Sequence, residues 1–118
     1  MHLMDAFMKL SLSVIDMQDI RKDPSKTMRL MCYEFGAVDS LCQLGGLDKD
    51  DTIVAITRFH TQLYKLKATD AAETVAEMMR MSTSPEGTSY MIIGGEAARK
   101  FVLEKDGGAP LALHSLLR

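Results

Sequence analysis

Apolar side chains recur every three or four residues along most of the chain, and this spacing constrains the fold more than any other feature. Leu3, Phe7, Leu10, Val14 and Met17 begin the pattern. Steps of three and four place side chains along one side of an α-helix, whereas a half-buried strand needs alternation at every second residue. The sequence therefore predicts an all-α fold without a β-sheet.

Helix-breaking residues divide this pattern into five principal helices. Breaks lie at Asp23-Pro24, Gly45-Gly46, the polar run at residues 82–87 and Gly107-Gly108, and Thr69 opens a separate helix between the second and third of them. Proline suits the first turn of a helix, and glycine suits the position after its last turn. The predicted helices span residues 3–20, 24–44, about 50–66, about 69–79 and 89–105, followed by a short terminal piece at 111–117 that can be helical.

The chain length limits the number of domains to one. A chain of 118 residues, 47% of them hydrophobic, has ordinary globular composition and buries roughly two-thirds of its unfolded surface. Residues 1–118 are therefore predicted to form one compact helical domain.

Targeting signals and membrane spans are not expected. The apolar runs are short, and the first ten residues contain Asp5 and lack both a basic region and a cleavage site. These features predict a soluble cytoplasmic protein with no membrane partner.

The first predicted helix is apolar on more than one side. Met4, Met8 and Ile15 form a second apolar flank beside the one that begins at Leu3. A small domain has few elements to cover both flanks, so a second copy of the chain is expected to help. The prediction is a homodimer, intertwined or side by side, whose interface residues are Leu3, Phe7, Leu10, Val14 and Met17.

Three sequence patterns could indicate a catalytic or ligand-binding site, but each is more typical of a residue with a purely structural role. Gly94-Gly95 lacks the spacing of a nucleotide-binding loop and indicates close packing or a kink in a helical region. The acids from Asp48 onward lack the glycine and glutamate of a calcium loop and are typical of a capped helix start. His60 is expected to be a hydrogen-bonded structural histidine. The chain is therefore predicted not to be an enzyme and to need no cofactor or metal.

The two cysteines are predicted to be free. Cys32 and Cys42 lie ten positions apart in one predicted helix, a separation of about 15 Å at 1.5 Å per residue. The Cα atoms of a disulfide lie within about 7 Å. Buried thiols are the expected outcome.

A small group of basic residues in the last third of the chain allows two interpretations. Arg80, Arg99 and Lys100 accompany Ser82. They form either a solvated helix surface or a patch that contacts phosphate or a partner. The net charge of −2 and pI near 5.9 argue against DNA binding by bulk charge alone.

In its order of motifs the chain resembles the FlhD family, the subunit of a flagellar transcriptional activator. Leu12-Ser13 resembles that family's Leu-Ser, and Asp23 with Met28-Arg29-Leu30 resembles its Asp and Phe-Arg-Leu stretch. Glu34 falls where the family has an acidic pair. Further positions that match are Leu41, Leu44, Leu47, Gln62-Leu63, Val75, Met78, Arg99 and Phe101.

The resemblance implies a dimer that joins an FlhC-like partner and binds DNA only as part of that complex, to activate transcription of genes for flagellum biogenesis. Ser82 matches a DNA-contacting position of the family, whereas Met91 and Ile92 replace polar residues. Tyr64-Lys65-Leu66-Lys67 replaces a cysteine-containing run, so the family's intersubunit disulfide is not expected. The alternative hypothesis is a helical adaptor or chaperone-like module that binds protein and has no nucleic-acid role.

Overall fold

The structure is a computed structural model that describes residues 2–13, 15–62 and 65–117, with side chains described from Asp5 onward. These residues form a single compact all-α globule without a strand, and the prediction of fold class is confirmed. The Cα radius of gyration of 12.9 Å is close to the value of about 13 Å expected for one domain of this size. The helices are α1 (His2–Leu12), α2 (Met17–Lys22), α3 (Pro24–Leu44), α4 (Lys49–Gln62), α5 (Ala68–Met81), α6 (Pro85–Leu103) and α7 (Ala112–Leu116), with a 3-10 turn at Ala109–Leu111 before α7.

The predicted boundaries of α3 are confirmed. The Asp23 carboxylate accepts hydrogen bonds from the backbone N–H groups of Ser25 and Lys26 at 2.9 and 3.3 Å, and Pro24 occupies the first turn. Gly45 follows the last residue of the helix, as expected. At the start of α4, Asp48 accepts from the N–H of Asp51 at 3.0 Å, so Asp48 caps this helix.

The prediction of one helix over residues 3–20 is wrong, because the chain breaks between Leu12 and Met17. The Ser13 hydroxyl donates to the carbonyl of Leu10 at 2.7 Å, and Asp16 accepts from the N–H of Gln18 at 3.0 Å to cap a new helix. Short polar side chains of this kind compete with backbone hydrogen bonds and favour helix ends. This break and the helical terminal piece α7 explain why the described residues form seven α-helices where five principal helices were predicted.

Two other boundaries differ from the prediction. Helix α6 starts at Pro85 rather than Ser89, because the Ser84 hydroxyl accepts from the N–H of Gly87 at 3.0 Å and the proline fixes the first turn. The helix predicted over about 50–66 is α4, Lys49–Gln62, and Leu66 lies in the irregular segment before α5. Leu63, within the same predicted helix, lies outside the described residues.

The most intimate contact in the fold is the crossing of α3 and α6. A Cβ atom added to Gly36 would lie 2.7 Å from the Cα of Met91, and one added to Gly94 would lie 2.8 Å from the carbonyl carbon of Tyr33. Real Cβ atoms do not approach backbone this closely, so both glycines are needed for the crossing. The close packing predicted for Gly94-Gly95 is found at Gly94, opposite Tyr33 of α3.

Candidate interaction surfaces

A groove between α1 and α4 carries exposed apolar side chains. Its lining is Asp5, Leu47, Asp51, Val54, Ala55, Arg58, Phe59 and Gln62, and it encloses about 220 Å³. We call it the α1–α4 groove. Val54 is 57% exposed, and Phe59 at its floor is buried. Small-molecule sites commonly enclose about 300–1,000 Å³, so this groove fits one or two side chains of a larger partner better than a whole small ligand.

Charged groups surround the apolar part of this groove unevenly. Asp5 and Asp51 lie at its edge together with one cation, Arg58. Asp50 is exposed in the first turn of α4, next to Asp51. The Asp51 carboxylate also accepts from the N–H of Asp48 at 3.1 Å, which fixes the position of that acid. The edge of the groove is therefore more acidic than basic.

A buried polar pair lies next to the floor residue Phe59. Nε2 of His60 hydrogen-bonds the Oε2 atom of Glu34, which connects α4 to α3, and both residues are buried. The rings of His60 and Phe59 meet edge to face with centroids 6.0 Å apart. His60 is thus a hydrogen-bonded structural histidine, as predicted. Because buried polar pairs need fixed geometry, this pair holds the base of the groove in place.

The predicted phosphate-contacting residues do not form one patch. Arg99 lines a groove of about 330 Å³ between α3 and α6, whereas Lys100 lines a groove of about 390 Å³ between α6 and the C-terminal segment. Ser82 precedes α6, and the fifteen residues from Pro85 to Arg99 span about 20 Å of helix. Arg80 is exposed and pairs with Glu77 on its own helix. The structure therefore keeps Arg80 and Ser82, at the end of α5, apart from Arg99 and Lys100, in the second half of α6.

Ser82 has structural partners within the chain. Its hydroxyl donates to the carbonyl of Met78 at 2.7 Å and lies 3.9 Å from Sγ of Cys32. Burial raises the pKa of the Cys32 thiol, and the contact with Ser82 opposes that rise. Burial also raises the pKa of Cys42. Both cysteines are free and buried, as predicted, and these raised pKa values disfavour the reactive thiolate.

The predicted dimer-interface residues of the first segment have different environments. Phe7 is buried within its own chain, where its ring lies 6.0 Å from that of Tyr33 and 5.6 Å from that of Phe101. Met17 packs partly buried against the core, and Leu10 is 44% exposed. The side chains of Leu3 and Val14 lie outside the described residues. The burial of Phe7 requires no second chain, and the homodimer remains a prediction.

Two sets of surface residues were missed in the sequence. Ile53 and Ile56 define the core face of α4, and Val54 lies off that face. The sequence therefore contained a signal for an exposed apolar side chain at Val54. Ile92 and Leu103 lie on the outer side of α6 and are 55% and 61% exposed. Their spacing with Glu96 and Arg99 is visible in the sequence, but Ile93, Ala97 and Phe101 on the inner side of α6 form the more apolar pattern.

Within the part of the chain that the structure describes, no group of three or more His, Cys, Asp or Glu residues is arranged to hold a metal ion. No helix built from those residues is both long and apolar enough to cross a membrane.

Comparison of the chain with protein-family models, curated proteins and solved structures gives no match. The resemblance to the FlhD family stays a prediction, and the functional argument proceeds from the surfaces themselves.

Proposed function

We propose that this protein is a helical adaptor that binds an amphipathic, basic segment of another protein in the α1–α4 groove. The observation that carries the proposal is an exposed apolar side chain, Val54, beside a fixed aromatic floor, Phe59. An amphipathic helix binds such grooves by inserting one or two apolar anchors. The acids at the edge, Asp5 and Asp51, favour Lys or Arg beside those anchors.

A peptide library tests this function directly. Two sets of amphipathic peptides share the same leucine and phenylalanine anchors, but one carries Lys and Arg beside them and the other Glu and Asp. Binding of fluorescent peptides to the wild-type protein is measured by anisotropy. We expect binders in the basic set, with NMR shift changes centred on Leu47, Val54 and Arg58.

Val54→Asp is the informative variant, because it puts a charge among the apolar contacts without touching the core. We expect it to weaken peptide binding roughly tenfold or more, about 1.4 kcal/mol. Ile92→Asp makes the same change at an equally exposed isoleucine on α6 and should leave binding unchanged. The absence of any binder in the basic set, or equal binding by the Val54 variant, would overturn the proposal.

The second candidate function is the FlhD-like role in an activator complex. It is favoured by the exposure of Arg99 and Lys100, which make no ion pair with other described residues. The net charge of −2 means that the chain alone should bind duplex DNA weakly, so an FlhC-like partner would supply most phosphate contacts.

The salt dependence of DNA binding by a reconstituted complex with an FlhC-like protein tests the second function. Replacing Arg99 and Lys100 by alanine should flatten the dependence by about 0.9 per lost phosphate contact. The control replaces Arg21 and Lys22, two exposed cations at the end of α2, and changes the net charge equally. Equal slopes for the two double variants would reject a contact role for Arg99 and Lys100.

A further inference from the structure

The outer side of α6 carries four side chains at the spacing of a coiled-coil seam. Ile92, Glu96, Arg99 and Leu103 follow one another at steps of four, three and four residues, and all four are exposed. This is the spacing of alternating d and a positions in a heptad repeat. The four residues, which we call the α6 seam, span about 16 Å of helix.

The order of these residues makes the α6 seam complementary to itself. A two-fold axis at the level of Ala97 and Ala98 brings Ile92 opposite Leu103 of a second copy. The same axis brings Glu96 opposite Arg99 of the copy. From the geometry we propose that two copies of this chain associate through antiparallel α6 helices, with two apolar pairs at the ends of the seam and two ion pairs at its centre.

The charges select this arrangement over a parallel one. A parallel two-fold pairing would place Glu96 against Glu96 and Arg99 against Arg99, whereas the antiparallel pairing joins opposite charges throughout. Neither Glu96 nor Arg99 forms an ion pair within the described part of its own chain. Both charges are therefore available to a partner.

The shape of the molecule around the seam accommodates a second helix. Grooves lie along both sides of α6, one against α3 and one against the C-terminal segment, and Glu96 borders both. The helix therefore stands as a ridge between the two grooves. A seam of three turns is short, so we expect a dissociation constant on the order of micromolar.

This pairing differs from the dimer predicted from the first segment in the surface it uses. It leaves the α1–α4 groove uncovered, so the adaptor function does not depend on it. It also places Arg99 inside the interface. Arg99 therefore cannot contact DNA while the two α6 helices are paired.

Charge reversal tests the proposal. Sedimentation equilibrium from about 1 to 200 μM spans the expected dissociation constant, and circular dichroism verifies folding. Glu96→Arg and Arg99→Glu should each weaken association roughly tenfold or more, because each places like charges together at the centre of the seam. The double variant restores opposite charges and should associate within roughly threefold of wild type.

Leu10→Asp is the matched variant on α1, since Leu10 is also exposed, and it should leave the dimer intact. Three results would overturn the proposal: a wild-type protein that is monomeric at about 200 μM, well above the expected dissociation constant; single reversals that leave association unchanged; or loss of the dimer in Leu10→Asp alone. The last result would assign the interface to the first segment instead.

Discussion

The two sides of α6 have opposite requirements: the inner side needs a position without a side chain, and the outer side carries large exposed side chains. On the inner side, position 94 accepts only glycine, because the backbone of α3 occupies the space where a Cβ atom would lie. On the outer side, Ile92 and Leu103 are large apolar groups that nothing in the described chain covers. Changes on the inner side should therefore alter folding, whereas changes on the outer side should alter association and leave folding intact.

Gly94→Ala should have the largest effect. A methyl group there meets the backbone of Tyr33, which cannot move aside as a flexible side chain can. We expect a loss of about 4 kcal/mol or more in the free energy of unfolding, despite the gain of about 1 kcal/mol in helix propensity. Denaturant unfolding followed by circular dichroism measures the loss.

Gly95→Ala is the matched control for that experiment. The nearest atom to its Cβ is the side-chain Oγ of Ser40 at 3.2 Å, and a small shift of that hydroxyl relieves the contact. The propensity gain then leaves stability within about 1 kcal/mol of wild type. Equal losses at Gly94 and Gly95 would mean that the close crossing of α3 and α6 is incorrect.

The same division into inner and outer sides is found on α1. Phe7→Ala removes a buried ring that contacts Tyr33 and Phe101 and should cost about 3–4 kcal/mol. Leu10→Ala removes an exposed side chain and should cost less than about 0.5 kcal/mol. Thermal unfolding of the two variants compares them, and similar losses would contradict the placement of Phe7 inside and Leu10 outside.

Leu103→Asp should change association and not folding. It places a carboxylate opposite Ile92 of the second copy, and we expect roughly tenfold weaker association or more, about 1.4 kcal/mol. The free energy of unfolding should remain close to that of wild type. Val54→Asp, the same kind of change in the α1–α4 groove, should leave the sedimentation profile unchanged. Dimer loss in the Val54 variant would show that the two surfaces are not independent.

The last effect is expected in alkaline solution and depends on pH. Burial raises the pKa of Tyr33 from its ordinary value of 10.0 to about 12, and its hydrogen bond with Ser11 opposes that rise. Between these two values the unfolded chain releases the phenolic proton and the folded chain keeps it. Stability should therefore fall as pH rises above 10, by at most about 1.4 kcal/mol per pH unit, and level off above 12.

Tyr33→Phe should remove this alkaline component, since phenylalanine has no proton to lose. Tyr90→Phe, at a partly exposed position on α6, is the control. Denaturant midpoints at several pH values from 9 to 11.5 give the comparison. An unchanged alkaline slope in Tyr33→Phe would contradict the burial of its hydroxyl between Ser11 and Pro110.

Strong local signals made much of the fold predictable from the sequence. Asp23-Pro24 and Gly45 bound α3 as expected because capping depends on neighbouring residues alone. The break after Leu12 was missed because the apolar spacing continues to Met17, so only the weaker signals at Ser13 and Asp16 marked it.

The candidate surfaces were harder to predict, because a surface depends on which helices lie side by side. Asp5 and Val54 are far apart in sequence and line one groove only because the fold brings the start of α1 near α4. Arg99 and Lys100 are adjacent in sequence but line different grooves, because successive helical residues point about 100° apart. The sequence could show which types of residue form a contact surface, but it could not show which residues lie together on the same surface.

Mixing two charge-reversed proteins tests the self-complementarity of the α6 seam most directly. Glu96→Arg presents two arginines at the centre of the seam, and Arg99→Glu presents two glutamates. Each protein alone should sediment as a monomer at concentrations where wild type is dimeric. An equimolar mixture should form a heterodimer, because the two arginines of one chain then face the two glutamates of the other. A mixture that sediments as the sum of its two components would contradict the antiparallel pairing of α6.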